Sequence, residues 1–345
     1  MTTPQIEALV FHSSFCVLYA FAPVYVTCVC YRSVLHAHPT CVCYMCYMCV
    51  LHAFATCTYM CVSHAYPTCT YMGYTRIIRA CIPRMEKIEK PRKAQFRQRA
   101  HCNPLSDSLF AYPLSPDHVN WAEHYPAKFP SANLSANLLV VNSSDHPVVY
   151  TDEPVSPEYN GREGPFPTIL DIGCGFGGLL MHMSTLFPDK LSLGMEIREQ
   201  VSNYVGERIR AARTENKCGN VAIIRTNSMK YLVNYIRKGQ CEKLFFCFAD
   251  PHFKQSNKRR RIVSDPLMSV YAFCLKPGGL LYFITDVKDL FDWMVECCDR
   301  ASGLFEKVED LKNDPVIPCM VNGTEEGMKV QRNGQQAYYA AYRRL

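Results

Sequence analysis

Asp171-Ile-Gly-Cys-Gly-Phe-Gly-Gly178 joins an apolar run at 168–172 to an amphipathic run that begins at Leu179. A strand that enters a glycine turn and leaves as a helix opens a doubly wound α/β sheet. The glycines let the backbone turn sharply and approach a ligand closely. Leu179, Leu180, Met183, Leu186 and Phe187 fall on one helical face, so the helix after the turn covers the sheet.

Downstream the alternation repeats. Residues 191–195 read as the second strand, and Val201, Val205, Ile209 and Ala212 mark the second helix. Strands follow at 221–224 and 243–248. A helix over 265–275, closed by Pro277-Gly-Gly279, leads to a fifth strand at 280–284. Two late strands are expected near 304–309 and 336–343. The pattern predicts an α/β domain over 166–345, a Rossmann-like sheet of seven mostly parallel strands with helices on both faces.

Gly173, Gly175 and Gly178 satisfy G-x-G-x-x-G, and Glu196 ends the next strand where a ribose-binding acid belongs. On these residues alone an NAD-linked oxidoreductase is one reading, with His252 as its nearest acid or base. Asp171 argues for a different nucleoside cofactor, S-adenosyl-L-methionine. A carboxylate two residues before the first glycine can orient the loop and meet a cationic methionine end, whereas a pyrophosphate gains nothing from it. In both readings Glu196 accepts hydrogen bonds from ribose hydroxyls.

Leu244-Phe-Phe-Cys-Phe-Ala-Asp-Pro-His-Phe253 is an apolar strand that delivers Asp250 at its carboxyl end, where open α/β sheets bind ligands. Pro251 stiffens that turn; the competing reading makes Asp250 a helix cap. Lys254, Lys258, Arg259, Arg260 and Arg261 follow at once. Such a run is a solvated face, a phosphate clamp or a nuclear-import patch, and the roles are compatible.

The chain has 345 residues, 48% hydrophobic, and a net charge of +6, which admits an anionic partner without demanding one. Its 20 cysteines divide unevenly, eleven at or before Cys81 and nine scattered through the rest, where Cys174, Cys247 and Cys274 sit in apolar runs. The later nine read as reduced, buried thiols. Residues 1–75 are a cysteine-, tyrosine- and methionine-rich low-complexity extension, with a loose repeat from His36-Ala-His-Pro-Thr-Cys41 to His64-Ala-Tyr-Pro-Thr-Cys69. A membrane anchor over 8–31 and a metal site compete with that reading. Residues 76–104 turn basic and end in Phe96-Arg-Gln-Arg-Ala-His-Cys-Asn-Pro104, an arm suited to tracking RNA phosphates. Residues 105–165 are expected to be irregular, with a surface loop from about Ser131 to Pro165.

From about Arg92 onward the chain resembles the eukaryotic tRNA (guanine-N7) methyltransferase catalytic subunit, a class I S-adenosylmethionine-dependent family. The matching blocks are Arg97-Gln-Arg-Ala-His101, the glycine turn, Glu196-Ile-Arg198, Thr226-Asn-Ser-Met-Lys230, Asp250-Pro-His-Phe-Lys254, Gly323-Thr-Glu-Glu-Gly327 and Arg332-Asn-Gly334. The resemblance implies methyl transfer from S-adenosyl-L-methionine to guanine N7 in the tRNA variable loop. It places Asp250 as the catalytic acid. Gly173, Glu196, Arg198, Asn227, Ser228 and Cys247 would surround the cofactor, with Thr324 and Glu326 on a closing loop. Arg97, Arg99, Lys254, Lys258, Arg259, Arg260 and Arg261 would hold the tRNA. A WD-repeat β-propeller partner and residence in the nucleus, with the cytoplasm as alternative, are expected; no metal or membrane is expected for this domain. Two departures stand out: Ala249 replaces a family proline, and Phe176 a usual tyrosine. Ala249 and the unusual N-terminal extension suggest a rival, a non-catalytic RNA-binding scaffold with a vestigial fold.

Overall fold

The computed structural model describes residues 16–21, 25–30, 88–99, 102–106 and 110–345. The chain divides into two units, Met1–Pro83 and Arg84–Leu345. In the first, Cys16–Phe21 pairs antiparallel with Tyr25–Cys30. The extension, anchor and metal readings of residues 1–75 otherwise lie outside the described residues. No helix among the described residues is long and apolar enough to cross a membrane.

The second unit is built on seven strands: β1 Pro167–Ile172, β2 Leu191–Glu196, β3 Val221–Arg225, β4 Cys241–Cys247, β5 Leu275–Thr285, β6 Phe305–Lys307 and β7 Tyr338–Arg344. Their order across the sheet is β3-β2-β1-β4-β5-β7-β6. The first five run parallel, and β7 is antiparallel to both β5 and β6. Helices α1 Gly178–Leu186, α2 Glu199–Arg213, α3 Ser228–Tyr235, α4 Asp265–Cys274 and α5 Lys288–Arg300 connect successive strands. After β6 come α6 Val316–Gly323 and α7 Glu325–Arg332. All six residues of β2 are buried, as a parallel strand covered on both faces requires.

The order reverses between β1 and β4, so the ends of these neighbouring strands part there and leave a crevice. Strand β5 begins at Leu275, earlier than the sequence suggests. Leu275 pairs with Cys241, the register shifts, and pairing resumes between Leu280 and Lys243. Pro277-Gly-Gly279 is thus an irregularity inside a strand, exposed at Pro277 and Gly278, rather than the spacer before one.

Residues 110–166 carry little regular structure, yet they are not peripheral. Trp121, Ala122, Tyr125 and Val141 are fully buried. The Tyr125 hydroxyl donates to the Ser192 carbonyl of β2 at 3.0 Å. The Asn142 amide donates to Ala111 O and Arg225 O, tying the segment to the end of β3. Most of the surface loop expected over 131–165 is exposed or partly exposed, while Val141, Asn142 and Ser143 within it are buried against the edge strand β3.

Arg213, the last residue of α2, fastens this wrap. It is 7% exposed and donates to the carbonyls of His124, Leu138 and Val221 at 2.7, 3.0 and 2.9 Å. Burial lowers its pKa to about 10, and burial together with this guanidinium drops His124 to about 3, so His124 stays neutral. Arg213→Ala strands three buried carbonyls. It should cost roughly 2–4 kcal/mol in denaturant unfolding; an unchanged midpoint would show that the wrap is not held here.

Candidate functional site

At the switch point the carboxyl ends of β1 to β4 and the C-terminal helices surround a cavity of about 480 Å³. That is the size of a nucleoside-scale ligand site. Gly173, Glu196, Arg198, Asn227, Ser228, Cys247, Asp250, Thr324 and Glu326 all line it, as does Arg260 of the basic run. Residues scattered over more than 150 positions are brought to one cleft because each follows a strand or opens a helix on this edge of the sheet.

The glycine turn is anchored by the Gly173 and Cys174 amides, which donate to Met195 O at 2.8 and 3.2 Å. Gly173 and Gly175 have φ of 72° and 54°, and a Cβ at Gly173 would meet nothing within 4 Å. The backbone there faces open cleft, a cradle that a side chain would fill.

Glu196, 4% exposed, is saturated by its own neighbourhood. Oε1 accepts from the Ile197 and Arg198 amides and from Arg198 Nε, at 2.9 to 3.1 Å. Oε2 accepts from Gly175 N and Arg198 Nη2, at 3.1 and 2.9 Å. Arg198 thus lies on the carboxylate that ribose hydroxyls were expected to meet.

Asp171 is in the opposite state. It is 1% exposed, and Oδ1 has no hydrogen-bond partner. Burial first, then the Glu325 and Glu196 charges, push its carboxyl up from 3.8 to about 8. A buried acid flanked by acids gains most from a cation.

Asp250 stands in a turn flanked by Phe248 and His252, whose φ values are 53° and 46°. Left-handed backbone in such side chains is held by surroundings and gathers at working sites. Phe248 N donates to Ile284 O, and Arg261 Nε to Pro251 O, each at 2.8 Å. Ala249 suits this turn, since a proline there would push Phe248 towards extended backbone.

Arg261 therefore departs from its expected place among RNA contacts. It is 4% exposed and stacked 5.0 Å from the Trp293 ring, supporting the Asp250 turn from within. Lys258 also sits over Trp293, at 5.4 Å. Arg97, Arg99, Lys254 and Arg259 are exposed. Asn227 caps α3 by accepting from Met229 N, and its amide donates to Pro104 O at 2.6 Å, so it builds the cleft wall. Thr324 caps α7 through Gly327 N, while Glu326, exposed at the cavity's rim, pairs with Lys329.

One residue escaped the sequence reading. Glu325 Oε2 accepts from Gly178 N at 3.0 Å, and Oε1 from Arg208 at 2.9 Å, with Lys93 Nζ at 3.5 Å. A Cβ at Gly178 would meet Gly323 O at 2.4 Å, so this glycine serves the approach of the C-terminal helices rather than the turn. Only the acid in the first turn of α7 hinted at Glu325; its partner lies 147 residues away.

Residues 166–340 match a family profile described as "Putative methyltransferase". A tRNA (guanine-N(7)-)-methyltransferase of Oryza sativa subsp. indica is 47% identical over 74% of this chain and 92% of its own length. Proteins of the same name from Mus musculus and Homo sapiens are each 44% identical over 74% of this chain, covering 91% and 88% of their lengths. Among solved structures, the antibiotic-resistance methyltransferase Kmr aligns over 60% of this chain and 99% of its own, at 15% identity and TM-score 0.41.

The raised Asp171 pKa has a definite sign. Between about pH 4 and pH 8 the unfolded chain has released this proton and the ligand-free fold still holds it, so stability falls as pH rises across that window. Asp171→Asn removes the penalty. It should raise the melting temperature by a few degrees at about pH 9 and leave it unchanged near pH 4. An equal shift at both pH values would contradict this assignment.

Proposed function

The chain belongs to the tRNA (guanine-N(7)-)-methyltransferase family, and from that premise we propose how its cleft performs methyl transfer to guanine N7 of tRNA. The observation that carries the reading is the convergence of Asp171, the open glycine cradle, Glu196 and Asp250 on one cavity at the sheet's switch point. The donor set fits S-adenosyl-L-methionine. Asp171, with its unpartnered oxygen, suits the cationic amino end, and the backbone of Gly173 leaves room beside it. Glu196, now paired with Arg198 through both oxygens, would accept the ribose hydroxyls. Asn227, Ser228 and Cys247 would line the side of the cavity that takes the adenine, with Thr324 and Glu326 on the C-terminal wall.

Bound there, S-adenosyl-L-methionine supplies an electrophilic methyl group on a positively charged sulfur. Guanine N7 presents an exposed lone pair, so the chain need supply no base to activate it. Its work is alignment and exclusion of water. Asp250 accepts hydrogen bonds from the Watson–Crick edge of guanine. It thereby selects guanine over adenine and offsets the positive charge that methylation leaves on the ring. Arg261 and Trp293 hold the Asp250 turn in place from behind. The exposed Arg97, Arg99, Lys254 and Arg259 meet phosphates. The WD-repeat β-propeller subunit and nuclear residence that the resemblance implies belong to the same proposal, and co-purification and cell fractionation test them.

Asp250→Ala should reduce turnover by at least about 100-fold while cofactor affinity stays within about twofold of the parent. Loss of cofactor binding together with activity would make Asp250 structural. Neutralising Lys254 and Arg259 together should weaken tRNA binding and flatten its dependence on salt, by roughly one in log–log slope for each phosphate contact removed. An unchanged slope would remove these residues from the RNA path.

A further inference from the structure

A second cavity, about 500 Å³ in volume, lies beside the first and shares Cys102, Pro251, His252 and Arg260 with it. Its own walls add Asn103, Phe253, Lys254 and Asn257. Phe253 is 71% exposed, the most exposed aromatic ring among the described residues. An apolar ring left in water next to a lysine and two amides suits a flat, polar-edged π system better than an aliphatic ligand. His252, in left-handed backbone at φ 46°, makes the bend that separates Asp250 on the first cavity from Phe253 on the second.

Arg260 stands on the partition, lining both spaces, and its buried Nε has no hydrogen-bond partner. Two nucleosides in sequence are joined by one phosphodiester. Two cavities that share one arginine with an unsatisfied donor repeat that arrangement. We propose that the second cavity is a subsite for the nucleotide adjoining the target guanine, with its base stacked on Phe253 and the intervening phosphate bound by Arg260. Asn103 and Asn257 offer amide donors and acceptors to whichever base edge enters, so the subsite tolerates more than one base. The subsite gives the unstacked RNA a second foothold outside the methyl-transfer cavity, which helps keep the target guanine turned in.

This inference rests on the proposed action on tRNA, and the test separates the two. The full chain, with its partner where one co-purifies, is given tRNA bearing 2-aminopurine on the 5′ or the 3′ side of the target guanine. Stacking on Phe253 should quench the probe at one of these positions in the parent protein and in Phe253→Trp, but not in Phe253→Ala. Phe253→Ala should also raise KM for intact tRNA by about 5- to 150-fold with little change in kcat and in cofactor affinity. On tRNA made abasic at the quenched position, Phe253→Ala should have no further effect. Because Phe253 is exposed, folding is not at stake in these variants. Methylation by the parent protein without quenching at either position, or additive losses from Phe253→Ala and the abasic site, would overturn the subsite and leave the function standing. Absence of 7-methylguanosine with the parent protein would instead count against the function itself.

Discussion

Two carboxylates at the ends of neighbouring parallel strands set the terms for the rest of this structure. Asp171 and Glu196 are both almost wholly buried, and they lie where the sheet's order reverses. Buried acids demand compensation, and each receives it differently. Glu196 takes five donors from the adjoining backbone and Arg198. Asp171 keeps an oxygen unpartnered and its pKa high. One acid is held in position, and the other is left wanting a cation. The polarity of the cleft follows from that difference.

The cleft is closed by parts of the chain far apart in sequence. Glu325, from the first turn of α7, is bonded to Gly178 at the start of α1 and to Arg208 on α2. Arg208 also donates to Phe176 O, and Lys93 of the basic arm sits 4.5 Å above the Phe176 ring. The substitution of Phe176 for tyrosine leaves this stack intact, because the cation meets the ring face and not a hydroxyl. Arm, glycine turn and C-terminal helices thus share one charge cluster at the mouth of the cofactor cavity. On the other side, Arg261, stacked on Trp293, supports the Asp250 turn through the Pro251 carbonyl.

What the sequence disclosed was local. The glycine turn, the first four strands and α2 follow from short patterns, and so does the arrival of Asp250 at a strand end. Helix α5 buries Leu290, Met294, Cys297 and Cys298 at helical spacing, but its charged face obscured the stripe. Helix α3, only eight residues, was too short for its periodicity to stand out. Residues 105–165 offered no periodicity to read; the burial of Trp121, Tyr125 and Val141 within them depends on the edge of β3 and on Arg213, neither of which is a neighbour in sequence. Arg261 looked like its basic neighbours until Trp293 and the Pro251 carbonyl, both remote from its run of charge, drew it inward. Glu325 stood inside a quoted block, but its contact with Gly178 was hidden for the same reason. Its function is a contact between two ends of the domain.

The account stands on one claim above others, that this cleft brings a methyl donor to guanine N7 in tRNA. The direct test is transfer of tritiated methyl from S-adenosyl-L-methionine to total tRNA, with and without a WD-repeat partner, followed by separation of the nucleosides. The account predicts label in 7-methylguanosine. Label in a different nucleoside, or none despite measurable cofactor binding, would contradict it.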